Sequence, residues 1–158
     1  MRAQRIYLET TLFNFYFEKE RDAHFYTAQL FNEIATGKYK AYASTYVTDE
    51  LEEAPKEKRD TMLGLIAEYD IEILAPNDEV VRIANLYVAR GVIPQKHRTD
   101  ALHIAVATVY DLDMVVSMNF KHIVKRKTII TTGEINKLNG YHAVEIYSPM
   151  EVIEDETA

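Results

Sequence analysis

From Asp100 the chain reads Asp-Ala-Leu-His-Ile-Ala-Val-Ala, and shortly after comes the uninterrupted apolar run Met114-Val115-Val116. A helix that is apolar on nearly every side is a buried helix. A strand with no polar alternation belongs between two covered faces. Both conditions are met inside a parallel sheet covered by helices, so this stretch points to an α/β chain.

The rest of the chain alternates in the same sense. Arg5-Ile6-Tyr7-Leu8 predicts a first strand ending at Glu9, and the aromatic run Leu12–Phe17 predicts a short helix plugged into the core. Between Asp22 and Gly37, apolar residues recur at helical spacing, with Gly37 where a C-cap belongs. Lys40 to Thr45 predicts a second strand, and Thr48 the N-cap of a helix holding Asp49 to Glu53 in its first turn. Lys56 to Tyr69 continues as a helix after Pro55, Ile71 to Leu74 predicts a third strand, and Asp78 to Arg90 a helix closed by Gly91. Residues 121–140 read as a basic excursion punctuated by glycine, before a last strand at Val144 to Tyr147. Strands separated by helices make βαβ units, hence a three-layer α/β/α sandwich around a central parallel sheet.

A length of 158 residues suits one domain, placed at 1–150, followed by an acidic tail at 151–158. With 47% hydrophobic and 27% charged residues, global disorder is excluded. The absence of cysteine removes disulfides, thiolate metal sites and cysteine catalysis together. No stretch approaches the roughly 18 apolar residues of a membrane span, and the first residues carry no apolar leader core, so a soluble cytoplasmic protein without a membrane partner is expected. A net charge of −7 argues against coating nucleic acid by bulk charge. It leaves room for an enzyme that uses its acids.

Four residues are placed for such a use. Glu9 follows the first strand, Glu50 lies on the helix after the second, Asp100 heads the buried helix, and Asn119 follows the apolar strand. In open parallel sheets, sites collect beyond the carboxyl ends of the strands. Carboxylates gathered there repel unless a cation stands between them. Hard cations such as Mg²⁺ or Mn²⁺ take oxygen ligands, and no paired-histidine zinc spacing competes. His103, on the buried helix, reads as a satisfied core histidine, and the aromatic run as core.

These blocks resemble the PIN-domain family, typified by VapC-type toxin nucleases. The resemblance rests on Ile6 to Thr11, Ser44 to Glu50, Asp100 to Ala107 and Val115 to Ile123, with Ile146 to Glu151 fitting the last strand. It implies a Mg²⁺- or Mn²⁺-dependent endoribonuclease, the toxin of a toxin–antitoxin pair. Glu9, Glu50 and Asp100 would be metal ligands, and Asn119 would complete the catalytic set. The family pattern has aspartate first and often aspartate fourth; here Glu9 is one methylene longer and Asn119 keeps an oxygen without the charge.

Further expectations follow from the resemblance. The metal activates water for in-line attack on RNA, and Thr10 and Thr11 donate hydroxyl hydrogen bonds at the site or cap a helix. Lys121 meets phosphate at the head of a basic run with Lys125, Arg126 and Lys127, while Lys96 and Arg98 stand before Asp100. A small antitoxin and a homodimer are the expected protein partners, with Tyr39, Tyr42 and Tyr46 as exposed aromatics available to the dimer. Two other functions share this fold: an RNA-binding or regulatory module that has lost its chemistry, and a nuclease that is no toxin. Three ligands and four C-terminal acids (Glu151, Glu154, Asp155, Glu156) together account for the charge excess, which reconciles an acidic total with RNA.

Overall fold

The computed structural model describes residues 2–154. In chain order its elements are β1 (Gln4–Leu8), α1 (Thr11–Phe15), α2 (Asp22–Ala35), β2 (Tyr39–Ser44), α3 (Thr45–Glu52), α4 (Lys56–Glu68), β3 (Glu72–Leu74), α5 (Asp78–Ala89), α6 (Arg98–Val109), β4 (Met114–Val116), α7 (Arg126–Leu138), β5 (Glu145–Tyr147) and α8 (Pro149–Val152). The five strands lie in the order β3-β2-β1-β4-β5, every pair parallel. Helices α5, α6 and α7 pack on one another, and α1, α2, α4 and α8 form a second packed set. The expected three-layer α/β/α sandwich is therefore the observed fold. Among the described residues no helix is long and apolar enough to cross a membrane.

The patterns that predicted burial are buried. Ile6, Tyr7 and Leu8 of β1 are fully inaccessible, as are Val115 and Val116 of β4, and α6 is buried continuously from Ala101 to Thr108. The chain winds from β1 outward to β3, then crosses back to place β4 on the other side of β1. That reversal leaves a crevice beyond the carboxyl ends of β1 and β4, which is where such sheets bind ligands. Glu9 and Ser117 are the next residues on those two strands.

Four expectations need correction. Helix α3 begins at Thr45, not after Thr48: Ser44 is the N-cap, its Oγ accepting the Tyr46 N–H at 3.2 Å. The chain turns from strand to helix with no loop, and Thr48, already inside, donates its hydroxyl to the Thr45 carbonyl. Glu50 is thereby carried into the second turn, away from the helix N-terminus that would have explained an acid there. The excursion at 121–140 contains α7, whose inward face is made of Thr128, Thr132, Ile135 and Asn136 and so hides the apolar period. Gly133 belongs to that packing, because a Cβ there would stand 3.2 Å from the Ala143 Cβ.

Tyr39 and Tyr42 are only 6% exposed, because β2 lies inside the sheet with both faces covered; neither is available to a dimer surface. The boundary expected at 150 falls inside α8. Val152 is buried and its carbonyl accepts the Tyr39 hydroxyl at 2.6 Å, so residues 151–154 belong to the body of the domain. The rest of the expected tail, residues 155–158, lies outside the described residues.

Glu33 anchors this corner. Its carboxylate accepts the Glu154 N–H at 3.0 Å, the Lys38 ammonium at 3.0 Å and the Gln29 amide at 3.1 Å. Burial pushes the Glu33 carboxyl up, but these donors outweigh it and hold it below the usual range. A carboxyl whose folded pKa lies below its unfolded value of about 4.3 stabilises the fold above that pH, and the stabilisation is lost as pH falls through the folded value. Glu33→Gln is expected to lower Tm at neutral pH, with the gap to wild type closing as the pH falls below the unfolded value and through the folded one. A gap of constant size in a thermal melt series would show that the charge is not what Glu33 contributes.

Candidate active site

Glu9 is set by the backbone before its side chain is considered. Its N–H donates to the Val116 carbonyl at 3.1 Å, extending the β1–β4 ladder one residue past the strands. The carboxylate is 3% exposed, and its Oε1 accepts the Thr11 N–H at 3.2 Å, the Thr11 hydroxyl, and the Ser117 hydroxyl at 2.7 Å. Both hydroxyls in turn accept from the backbone: Thr11 Oγ1 from the Met118 N–H and Ser117 Oγ from the Asn119 N–H, each at 2.9 Å. A carboxylate only accepts, so these protons point at Glu9. Burial still pushes the Glu9 carboxyl up, with His103 and the hydroxyl donors opposing it.

Glu50 is held on its own Oε1, which accepts the Thr10 hydroxyl at 2.6 Å and lies 2.7 Å from His103 Nε2. Burial works against its charge, but His103 and Thr10 outweigh burial and hold the carboxyl below its usual range. His103 is fully buried, with Nδ1 2.6 Å from the Tyr7 hydroxyl, which itself meets Ser44 Oγ at 2.8 Å. The partner assigns the proton on Nε2, since Glu50 cannot supply one. Burial alone would lower the His103 pKa; its hydrogen bond to Glu50 and the charges of Glu9, Glu50 and Asp100 raise it. His103 is thus the satisfied buried histidine expected, and also the group around which three acids are arranged.

Asp100 stands in the first turn of α6, half-buried. Burial raises its pKa against the opposing influence of His103, His122 and a side-chain hydrogen bond with Asn119. Asn119 Oδ1 accepts the His122 N–H at 3.0 Å, which fixes the turn after β4. The four predicted residues therefore lie at one edge of the sheet, the acids linked electrostatically through His103. Thr10 is buried with its proton committed to Glu50, so it positions an acid instead of facing solvent. Lys121 is exposed beyond Asn119.

The donor set suits a hard cation. Among the described residues, Oε2 of Glu9 and Oε2 of Glu50 accept no hydrogen bond, so each acid has one oxygen fixed by donors and one unengaged. That division is how supporting hydrogen bonds orient a metal-binding carboxylate. The ligand atoms that come within 4.8 Å of one another, however, belong to a different set: His97, Asp100 and His122. Sequence reading missed these two histidines, and missed Ser117 as a support for Glu9. Their one visible signal is spacing: His97 lies three residues before Asp100, and His122 three after Asn119.

No family model and no curated protein matches the chain. Among solved structures it is similar to a chain in the crystal structure of VapBC2 from Rickettsia felis bound to a DNA fragment from their promoter. The identity is 15%, the TM-score 0.57, and the match covers 92% of this chain and 98% of the other. The match spans nearly all of both chains, and with the parallel sheet it shows that the two share one three-layer α/β/α fold, the fold that the resemblance to the PIN-domain family implied.

Proposed function

We propose that the chain is a Mg²⁺- or Mn²⁺-dependent endoribonuclease, the toxin of a toxin–antitoxin pair. The observation that carries this reading is the pair of acids Glu9 and Glu50, each clamped through one oxygen with the other unengaged, beside Asp100 at the sheet's switch point. Glu9, Glu50 and Asp100 hold the cation, and Asn119 completes the set. The cation supplies Lewis-acid charge to a phosphodiester and makes water a competent nucleophile near neutral pH.

The chain's own contribution is placement. Thr11 and Ser117 aim Glu9 and oppose the burial that raises its carboxyl, while Thr10 and His103 aim Glu50 and hold its carboxyl below the usual range. Exposed Lys121, Lys125, Arg126 and Lys127 attract the phosphate backbone without reading sequence, so binding weakens as salt rises. The likeness to a chain of VapBC2 supports a partner of the antitoxin kind, encoded beside this chain, and a homodimer of the cytoplasmic protein is part of the same reading.

Purified protein incubated with RNA and Mn²⁺ tests it. Cleavage that EDTA stops and that Asp100→Ala abolishes is expected. Intact RNA that remains bound would overturn the nuclease and leave a binding module on the same fold.

A further inference from the structure

Two histidines with no part in the proposed nuclease lie against Asp100. His97 ends a 3-10 turn, Gln95–His97, and is the N-cap residue of α6 without using its side chain as a cap. His122 lies in the turn after β4. Their ring centroids are 4.2 Å apart with planes inclined by 33°, and one ligand atom from each of His97, Asp100 and His122 falls within 4.8 Å of the others.

A second observation points to a ligand. His122 Nε2 is buried and has no hydrogen-bond partner among the described residues. Leaving a buried polar atom unpaired costs about 1–3 kcal/mol, so such atoms ordinarily have a use. The backbone N–H of His122 is already satisfied by Asn119; the ring nitrogen is not. Among the described residues, the His97 side chain likewise makes no hydrogen bond that would explain its position against His122.

We propose that His97, Asp100 and His122 form a second cation site, selective for a borderline first-row dication such as Zn²⁺, Co²⁺ or Ni²⁺. Two imidazole nitrogens and one carboxylate oxygen suit these metals, whereas Mg²⁺ takes oxygen ligands and keeps its waters. Three protein ligands leave a coordination position open, as in catalytic and not purely structural zinc sites. The site does not rest on the nuclease reading, since the donors are placed whether or not RNA is cut. It does share Asp100 with that reading, so filling it withdraws an acid from the carboxylate site. The borderline cation therefore acts as an inhibitor of Mn²⁺-dependent cleavage.

The test is a Co²⁺ titration followed by visible absorption, with Zn²⁺ competition followed by calorimetry. It is run on the wild type, on His97→Ala, His122→Ala and His122→Gln, and on Glu50→Gln. Both histidines are half-buried, and circular dichroism reports whether each variant folds. One Co²⁺ per chain with ligand-field bands is expected for the wild type. Loss of either imidazole is expected to weaken it by about 100-fold or more, the upper end of what even indirect support of a ligand is worth. Glu50→Gln should keep Co²⁺ binding while losing RNA cleavage, which separates this site from the carboxylate site. A wild type that binds neither Co²⁺ nor Zn²⁺, or histidine variants that bind them as tightly as wild type, overturns the proposal. A wild type that binds Co²⁺ through the histidines yet cuts no RNA supports it, and refutes only the nuclease.

Discussion

Asp100→Asn is expected to reduce Mn²⁺-dependent RNA cleavage by about three orders of magnitude or more, with no change in fold. The substitution keeps the shape and a hydrogen-bonding side chain beside Asn119 but removes a full charge from the site. Charge stabilisation by a bound cation is worth several kcal/mol in the transition state, and about 1.4 kcal/mol is a factor of ten in rate. The fold should survive, because α6 is anchored by its buried run from Ala101 to Thr108 and Asp100 supplies no cap to it. Initial rates with a fluorescent RNA, paired with a circular dichroism spectrum, measure both halves. Activity within about tenfold of wild type would remove Asp100 from the machinery.

The largest effect on stability is expected from His103→Ala, about 2–4 kcal/mol in urea unfolding. His103 is fully buried between Tyr7 and Glu50, so the truncation leaves a cavity, strips a donor from Glu50 and strips an acceptor from the Tyr7 hydroxyl. The Tyr7 hydroxyl retains Ser44, and Glu50 retains Thr10, which keeps the loss below that of a wholly orphaned pair. His103→Gln, which restores a donor and fills part of the space, should recover a portion of it. His103→Ala should also weaken Mn²⁺ binding, since Glu50 loses one of the two donors that orient it. A loss below about 0.5 kcal/mol would mean that the buried network does not hold the site.

Much of this was legible in the chain. β1, β4 and α6 were found because a buried strand and a buried helix must be apolar on every side, and such runs have few other uses. The acids Glu9 and Asp100 and the amide Asn119 could be named because each sits at the end of such a run, where the fold class puts its crevice. Legibility failed where polar residues are buried or where local signals compete. The inner face of α7 is threonine and asparagine, so its period was invisible, and Thr48 offered a cap as good as Ser44's. Tyr39 and Tyr42 were expected at the surface, yet β2 is a covered strand, and nothing local to the chain shows on which side of the sheet its neighbours lie.

By itself, then, the sequence determined the layers, the parallel strands and the acids available at their ends, since hydrophobic period and chain order are local properties. Tertiary structure alone decided which groups each acid meets. It aligned Ser117 with Glu9 across the β1–β4 register, placed His103 under Glu50, and brought His97 to His122. Those partners lie on separate turns, and their meeting depends on strand order and helix packing, which no local pattern encodes.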